Sequence, residues 1–294
     1  MKSLFLTGTL FLCPLILAQD APQATPAPAQ TAPPPPAAPK PATKAPSGFE
    51  DFESFWSVGV FYWRPDRKPV LRGGLASTDP NSQGLDFPGK PRQTPGILIT
   101  LPTGHSNRVE ISAFQTKGSG SLVAPIAQTY FGQGFNSGDR LTASYNIRNI
   151  KATWNYLSYP YPALDARFRV KTLWEVQYVG LSPVITGPQV DLTVPAPQAS
   201  GKMTIILPTL GLGVELVPSP KHFRFEARAT GMAFPGRAAL ADAEANAVFR
   251  LGKLEVFGGG KFFYFRSSPK KEQFMRDRLF GPVAGVRWVF GKSR

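Results

Sequence analysis

Few residues in this chain have the types and spacing that chemistry needs. It holds two histidines, His105 and His222, and one cysteine, Cys13. Metal centres draw on several His, Cys or carboxylate ligands, and nucleophilic hydrolysis sets a base beside its nucleophile, so this inventory leaves little material for either. His105 and Ser106 are adjacent, as in a lipid-hydrolysing pair, but they lie in the turn-forming stretch PTGHSNR. Gly258–Lys261 reads GGGK, a fragment of a phosphate-binding loop that lacks the full spacing and falls inside a strand pattern. Close backbone packing explains those glycines better. No catalytic, cofactor-binding or metal-ligating residue is assigned, and no cofactor is expected.

What the chain does carry is charge in register. Arg167, Arg169, Lys171, Glu175 and Gln177 alternate with Phe168, Val170, Trp174, Val176 and Tyr178. Arg224, Glu226, Arg228 and Thr230 alternate with Phe223, Phe225, Ala227 and Ala229, and Asp242, Glu244, Asn246 and Arg250 with Ala243, Ala245, Ala247 and Phe249. A period of two is that of a β-strand with one polar and one apolar face. In a soluble sandwich the apolar face meets a second sheet; in a membrane barrel it meets lipid, and the polar face lines a lumen.

The ends of the chain read differently. MKSLFLTGTLFLCPLILA has a basic Lys2, an apolar run and Ala18 at a cleavable position, so residues 1–18 are expected to be a secretory signal. Leu12 before Cys13 argues against a lipoprotein cleavage box, and the mature chain is then free of thiols. Residues 19–48 are dominated by Pro and Ala, a composition that cannot bury enough apolar surface to fold; they read as a disordered linker. A ligand for a proline-recognising domain, or a contact with the cell wall, is the functional alternative. Residues 49–294 are the expected folded unit. The formal charge of +14 is strongly basic, but export and the lack of any recognition motif argue against nucleic acid and for anionic glycolipid or cell-surface polymer.

No stretch after the signal reaches the roughly 20 apolar residues of a membrane-spanning helix, so membrane entry would require a barrel. Ten strands are expected: Ser54–Trp63, Gly96–Leu101, Arg108–Lys117, Arg140–Tyr159, Ala166–Val184, Met203–Val217, His222–Phe234, Leu240–Leu251, Lys253–Arg266 and Phe280–Phe290. The fourth changes parity, since Lys151, Thr153 and Asn155 fall on one set of positions and Thr142, Ser144 and Asn146 on the other; a bulge near Arg148 and Asn149 would reconcile them. Long connections largely alternate with short ones, which a sandwich has no reason to do. Trp56, Tyr62, Trp154, Tyr156, Trp174, Trp288 and Phe290 fit an aromatic belt at a membrane interface.

The closing segment, GVRWVFGKSR, resembles the terminal assembly signal of bacterial outer-membrane proteins, with Gly285, Trp288 and Phe290 in the characteristic places. Gly291 to Arg294 follow where that family usually stops, and Val283 stands where a polar residue is common. With the signal, loops and alternation, the folded region resembles a small outer-membrane β-barrel over nearly its whole length. The resemblance implies an all-β, antiparallel transmembrane barrel in the outer membrane, with outer-membrane lipid, lipopolysaccharide and the barrel assembly machinery as partners. Ten-stranded outer-membrane proteases place Asp and His at the extracellular rim. Both histidines here fall in periplasmic turns, which disfavours that activity.

In such a barrel an Arg or Lys facing lipid costs about 2–4 kcal/mol near the midplane, so the strand cations must point inward. The expected lumen set is Arg167, Arg169, Lys171, Arg224, Arg228, Arg250, Lys261 and Arg287 with Glu110, Glu175, Glu215, Glu226, Asp242, Glu244 and Glu255. Near balance of sign reads as a hydrogen-bonded plug more readily than as an ion-selective pore. In the first long loop, Arg64, Arg67, Lys68, Arg72, Lys90 and Arg92 outnumber the acids and are expected to meet lipopolysaccharide. The expected role is non-enzymatic, structural or surface-interacting through long extracellular loops, with a narrow porin-like channel as the alternative and an outer-membrane enzyme less favoured.

Overall fold

The computed structural model describes residues 55–66, 70–72, 84–86, 89, 91, 93–103, 107–160, 167–189, 192–219, 222–268 and 274–290. The proposed signal and linker lie outside the described residues. The strands are β1 (Trp56–Trp63), β2 (Val70–Arg72), β3 (Gly84–Asp86), β4 (Thr94–Pro102), β5 (Arg108–Val123), β6 (Gln128–Tyr130), β7 (Gln133–Phe135), β8 (Arg140–Tyr159), β9 (Phe168–Thr186), β10 (Gln198–Ser200), β11 (Met203–Ser219), β12 (Phe223–Phe234), β13 (Ala238–Leu251), β14 (Leu254–Arg266) and β15 (Phe274–Phe290).

Ten of them close a barrel in the order β1-β4-β5-β8-β9-β11-β12-β13-β14-β15. Every contact is antiparallel, and β15 returns to β1 from Trp56↔Phe290 to Trp63↔Val283. Closure removes sheet edges, as a lipid environment requires, because no water there can satisfy an unpaired amide. Above the end of β1 the ladder continues through Arg64 N–H to the Pro282 carbonyl at 3.0 Å and Asp66 N–H to that of Phe280 at 2.9 Å. There β2 takes over as the partner of β15, at Phe274 to Arg276. All connections at one end are short, at 103–107, 160–167, 220–222 and 252–253; the other end carries the long ones, 64–93, 124–139 and 187–202, together with the short 235–237 and 267–273. By the rule of short periplasmic turns, the end with Trp56 and Phe290 is the periplasmic one.

Two strands outrun their sequence expectation. β5 continues to Val123, paired with Arg140, and β15 starts at Phe274. Ser119 and Ser121, and Arg276 and Arg278, put polar residues on the outward face of the added segments, with Val123 the apolar exception, so the apolar face that marks a lipid-facing strand breaks off although the ladder does not.

The expected bulge at Arg148 and Asn149 is absent. The pairing of β8 runs unbroken there, with Arg148↔Gly180 and Asn149↔Val179. Odd positions face inward throughout: Leu141, Ala143, Tyr145 and Ile147, then Asn149, Lys151, Thr153 and Asn155, are all buried. What changes is the chemistry on both sides at once. Toward the periplasm the lumen is polar and the outer face apolar; toward the cell exterior the lumen is apolar and the outer face carries Asn146, Ser144 and Thr142. β9 repeats this, with Arg169, Lys171, Glu175 and Gln177 inside below and Val179, Leu181 and Ile185 inside above.

Candidate functional site

The interior is a two-layer closure. In the lower layer, Arg108 from β5 lies 3.2 Å from Glu215 of β11, whose carboxylate also receives Lys171 at 2.7 Å and faces Arg169 at 3.8 Å. Arg224 grips Glu255 with two parallel bonds of 2.8 and 2.9 Å and reaches Glu226 at 2.6 Å. Arg287 approaches Glu255 at 3.4 Å and Glu226 at 3.9 Å. Higher up, Arg228 pairs with Glu110 and, at 3.0 Å, with Glu244, while Lys261 bridges Glu244 at 3.1 Å and Asp242 at 3.3 Å.

Glu175 is the hub. Its oxygens accept from Thr153 at 2.7 Å, Thr209 at 2.8 Å and Thr230 at 2.9 Å, and also from Gln177, so hydroxyls on β8, β11 and β12 converge on one carboxylate. Buried charges are tolerated when they are paired, and this lattice pairs them by crossing the lumen. It leaves a cavity of about 30 Å³ among residues that include Arg108, Glu110, Glu215 and Arg228, room for water rather than for a solute.

The upper layer is apolar. The rings of Trp63 and Phe114 meet edge-on at 5.2 Å, and Phe114 meets Phe263 at 5.4 Å, bringing β1, β5 and β14 together across the barrel. Lys261 Nζ marks the boundary, 5.9 Å from the Trp63 ring and 5.8 Å from that of Phe114. Above follow Ile147, Val179, Leu181, Leu240, Phe265 and Leu279, and then Tyr130 and Phe135 from the β6–β7 hairpin. Burial pushes the Tyr130 phenol up to about 12.

Of the expected lumen set, Arg169, Lys171, Glu110, Glu175, Glu215, Arg224, Glu226, Arg228, Asp242, Glu244, Glu255, Lys261 and Arg287 are brought together. Arg167 is not: it stands exposed before β9 begins, because the turn ends there and the inward face starts at Arg169. Arg250 lies at the rim, its Nε donating to the Gly252 carbonyl at 2.9 Å. The sequence reading omits Arg108 and Lys151, both almost wholly buried. Arg108 reads as a turn residue from its place at the head of a strand, and Lys151 is hidden by the parity change of β8. It omits the whole aromatic layer too, since an inward apolar run above the belt carries no sign of which medium it faces.

Around the outside, Trp56, Tyr62, Trp154, Tyr156, Trp174, Trp288 and Phe290 all face outward and exposed. Trp56 and Phe290 stack at 4.3 Å across the seam. Gly285 faces the lumen, where a β-carbon would collide with the Phe257 ring and, at 2.6 Å, with the Val60 carbonyl. Of the GGGK glycines only Gly259 is tightly packed, since a β-carbon there would strike the Ala245 carbonyl; Gly260 opens on the outer face. Arg64 is exposed. Arg72 lies in β2, and Arg67, Lys68, Lys90 and Arg92 lie outside the described residues, as does His105. His222 sits in the short β11–β12 turn, its N–H donating to the Ser219 carbonyl at 3.1 Å.

An apolar, aromatic-bearing exterior around a closed ladder and a charged interior defines a membrane-spanning β-barrel of the outer-membrane type. No protein-family model matches the chain, and no curated protein does. Among solved structures, the chain is similar to the outer membrane protease OmpT of Escherichia coli at 11% identity, covering 81% of this chain and 97% of that one with a TM-score of 0.55. It also matches the translocator domain of the autotransporter NalP of Neisseria meningitidis at 12% identity, covering 80% and 88% with a TM-score of 0.39. The first likeness establishes the ten-stranded barrel fold and nothing of its activity.

Proposed function

We propose that this protein is a closed, non-enzymatic outer-membrane barrel whose rigid wall presents its extracellular connections to partners at the cell surface. One observation carries the reading: the lumen is sealed twice, by the ion-pair lattice and by the aromatic layer above it, with about 30 Å³ left in the lattice. Barrels of about eight strands are filled by side chains whereas about 16–18 strands leave an aqueous channel, so a sealed interior suits this strand number. OmpT shares the fold and is a protease. In this chain both histidines belong to short-turn connections, 103–107 and 220–222, away from the end where a surface substrate would arrive. The loop cations around Arg64 and Arg72 supply the charge for a lipopolysaccharide contact, and the outward Trp288 and Phe290 supply the features that an insertion machinery would read.

Planar-bilayer recording tests the closed lumen. The folded protein should give at most small, brief conductance steps. Large, stable openings would establish the narrow-channel reading instead.

A further inference from the structure

The outer wall carries a marked hollow. Its floor is Ala227, Ala229, Ala243, Ala245 and Gly260, on β12, β13 and β14, and it is a shallow depression of about 420 Å³, open along the outer surface. Leu212 and Val214 form one side and Phe262 and Phe280 the other. These residues follow the ladder: Leu212, Ala229, Ala243, Phe262 and Phe280 are successive register partners across five strands. The hollow exists because alanine and glycine occupy the outward positions where neighbouring strands carry Leu, Val, Trp and Phe. Its size is that of a ligand cleft, about 300–1,000 Å³, and its lining is apolar apart from the edges of Arg228 and Glu244.

Immediately above its aromatic side lies a cluster of cations. Arg278 follows Phe280 on the outward face of β15, its guanidinium 5.9 Å from the Phe262 ring. Arg276 is next on that face, and it pairs in register with Arg266 of β14. Like charges directly opposite on neighbouring strands are destabilising. Among the described residues no carboxylate pairs with any of the three, and Arg266 Nε is buried without a hydrogen-bond partner. An uncompensated arginine cluster directly above an apolar groove, at the extracellular end of a lipid-facing wall, matches a ligand with an anionic head and a hydrocarbon tail.

We propose that this wall binds a phosphate-bearing, acylated glycolipid of the outer leaflet. One acyl chain lies in the groove over Ala229 and Ala243, and a phosphate is held by Arg266, Arg276 and Arg278. The inference rests on the extracellular placement of the long connections and is independent of whether the lumen conducts.

Native mass spectrometry of delipidated full-length protein in detergent tests it with bisphosphorylated lipid A, its dephosphorylated form and inorganic phosphate as probes. The phosphorylated lipid should bind at one copy per barrel, and the dephosphorylated form about tenfold more weakly or worse. R276A/R278A should show the same loss, and A229L/A243L, which fills the groove, should lose binding with unchanged heat-modifiable gel migration. Phosphate alone should not be retained. Equal binding of both lipids overturns the proposal, and it does so in the unmodified protein whether or not a variant folds. Retention of free phosphate would make the arginines a simple anion site. A dimer abolished by A229L/A243L with lipid binding intact would assign the face to a second copy of the chain.

Discussion

Lys151 Nζ lies 2.9 Å from Asp242 Oδ1, joining β8 to β13 across the lumen. Neither side chain is more than 1% exposed, and each has a second charged neighbour, Glu175 at 3.7 Å from the lysine and Lys261 at 3.3 Å from the aspartate. The pair ties opposite walls of the ring together where no backbone ladder does.

Removing one member should therefore cost more than removing both. Lys151→Met leaves a buried carboxylate short of its closest cation, an effect of about 3–5 kcal/mol. Lys151→Met with Asp242→Leu should recover much of that loss. Urea unfolding in micelles, read by tryptophan fluorescence and gel migration, measures both; equal losses in the single and double variants would show that the pair is not coupled.

Opening the lumen should require both layers to be breached. Phe114→Ala or Phe263→Ala alone should destabilise the barrel by about 3–5 kcal/mol while leaving bilayer conductance low, because the ion pairs beneath remain. Adding Arg228→Ala, which takes a cation from Glu110 and leaves Glu244 to Lys261 alone, should produce measurable current. A single aromatic replacement that conducts would place the whole barrier in the aromatic layer.

Asp277 is 1% exposed within the apolar layer, and among the described residues no cation or side-chain donor reaches its carboxylate. A buried polar group without a partner costs about 1–3 kcal/mol. Asp277→Leu should thus raise the temperature at which the folded band disappears from gels. A lowered temperature would mean that the carboxyl has a stabilising role.

The Trp56–Phe290 stack closes the seam at its periplasmic end. Phe290→Ala should lose about 0.5–1.5 kcal/mol beyond the area effect and, in cells, reduce the amount of barrel reaching the membrane. Refolding of the variant into micelles separates the two effects: near-normal yield there with depletion in cells would assign the residue to recognition during insertion. Normal levels in cells would count against an assembly signal.

The wall of this barrel was more legible than its filling. Each of the ten barrel strands shows in the sequence because outward Trp, Phe, Val and Leu alternate with inward polar residues while lipid is outside. Arg140–Tyr159 matches β8 at both ends. Above the belt that contrast inverts, so Phe274–Leu279 and Gly118–Val123 read as loop although they are strand. Pairing was less legible still. Arg228 and Glu226 share a face, yet Arg228 binds Glu110 of β5 and Glu244 of β13 while Glu226 binds Arg224 two residues along β12, so spacing along a strand does not say whether a partner lies on it or on another. The arginine cluster stayed hidden for the same reason, since Arg266 and Arg276 become neighbours only through the β14–β15 register.

The simultaneous reversal along β8 and β9 also sets the height at which the molecule rides. Sinking toward the periplasm would draw Asn146 and Ser182 into hydrocarbon, and rising would lift Ile150 and Val176 into water; either costs free energy on the outer surface alone. The inner surface adds a constraint that does not depend on lipid, because the ionic lattice lies level with the hydrocarbon and the dry aromatic cap lies above it. A bilayer that thins or thickens can therefore adjust around this protein at its rims, while the protein's own vertical mark stays at the row where Lys261 meets Trp63.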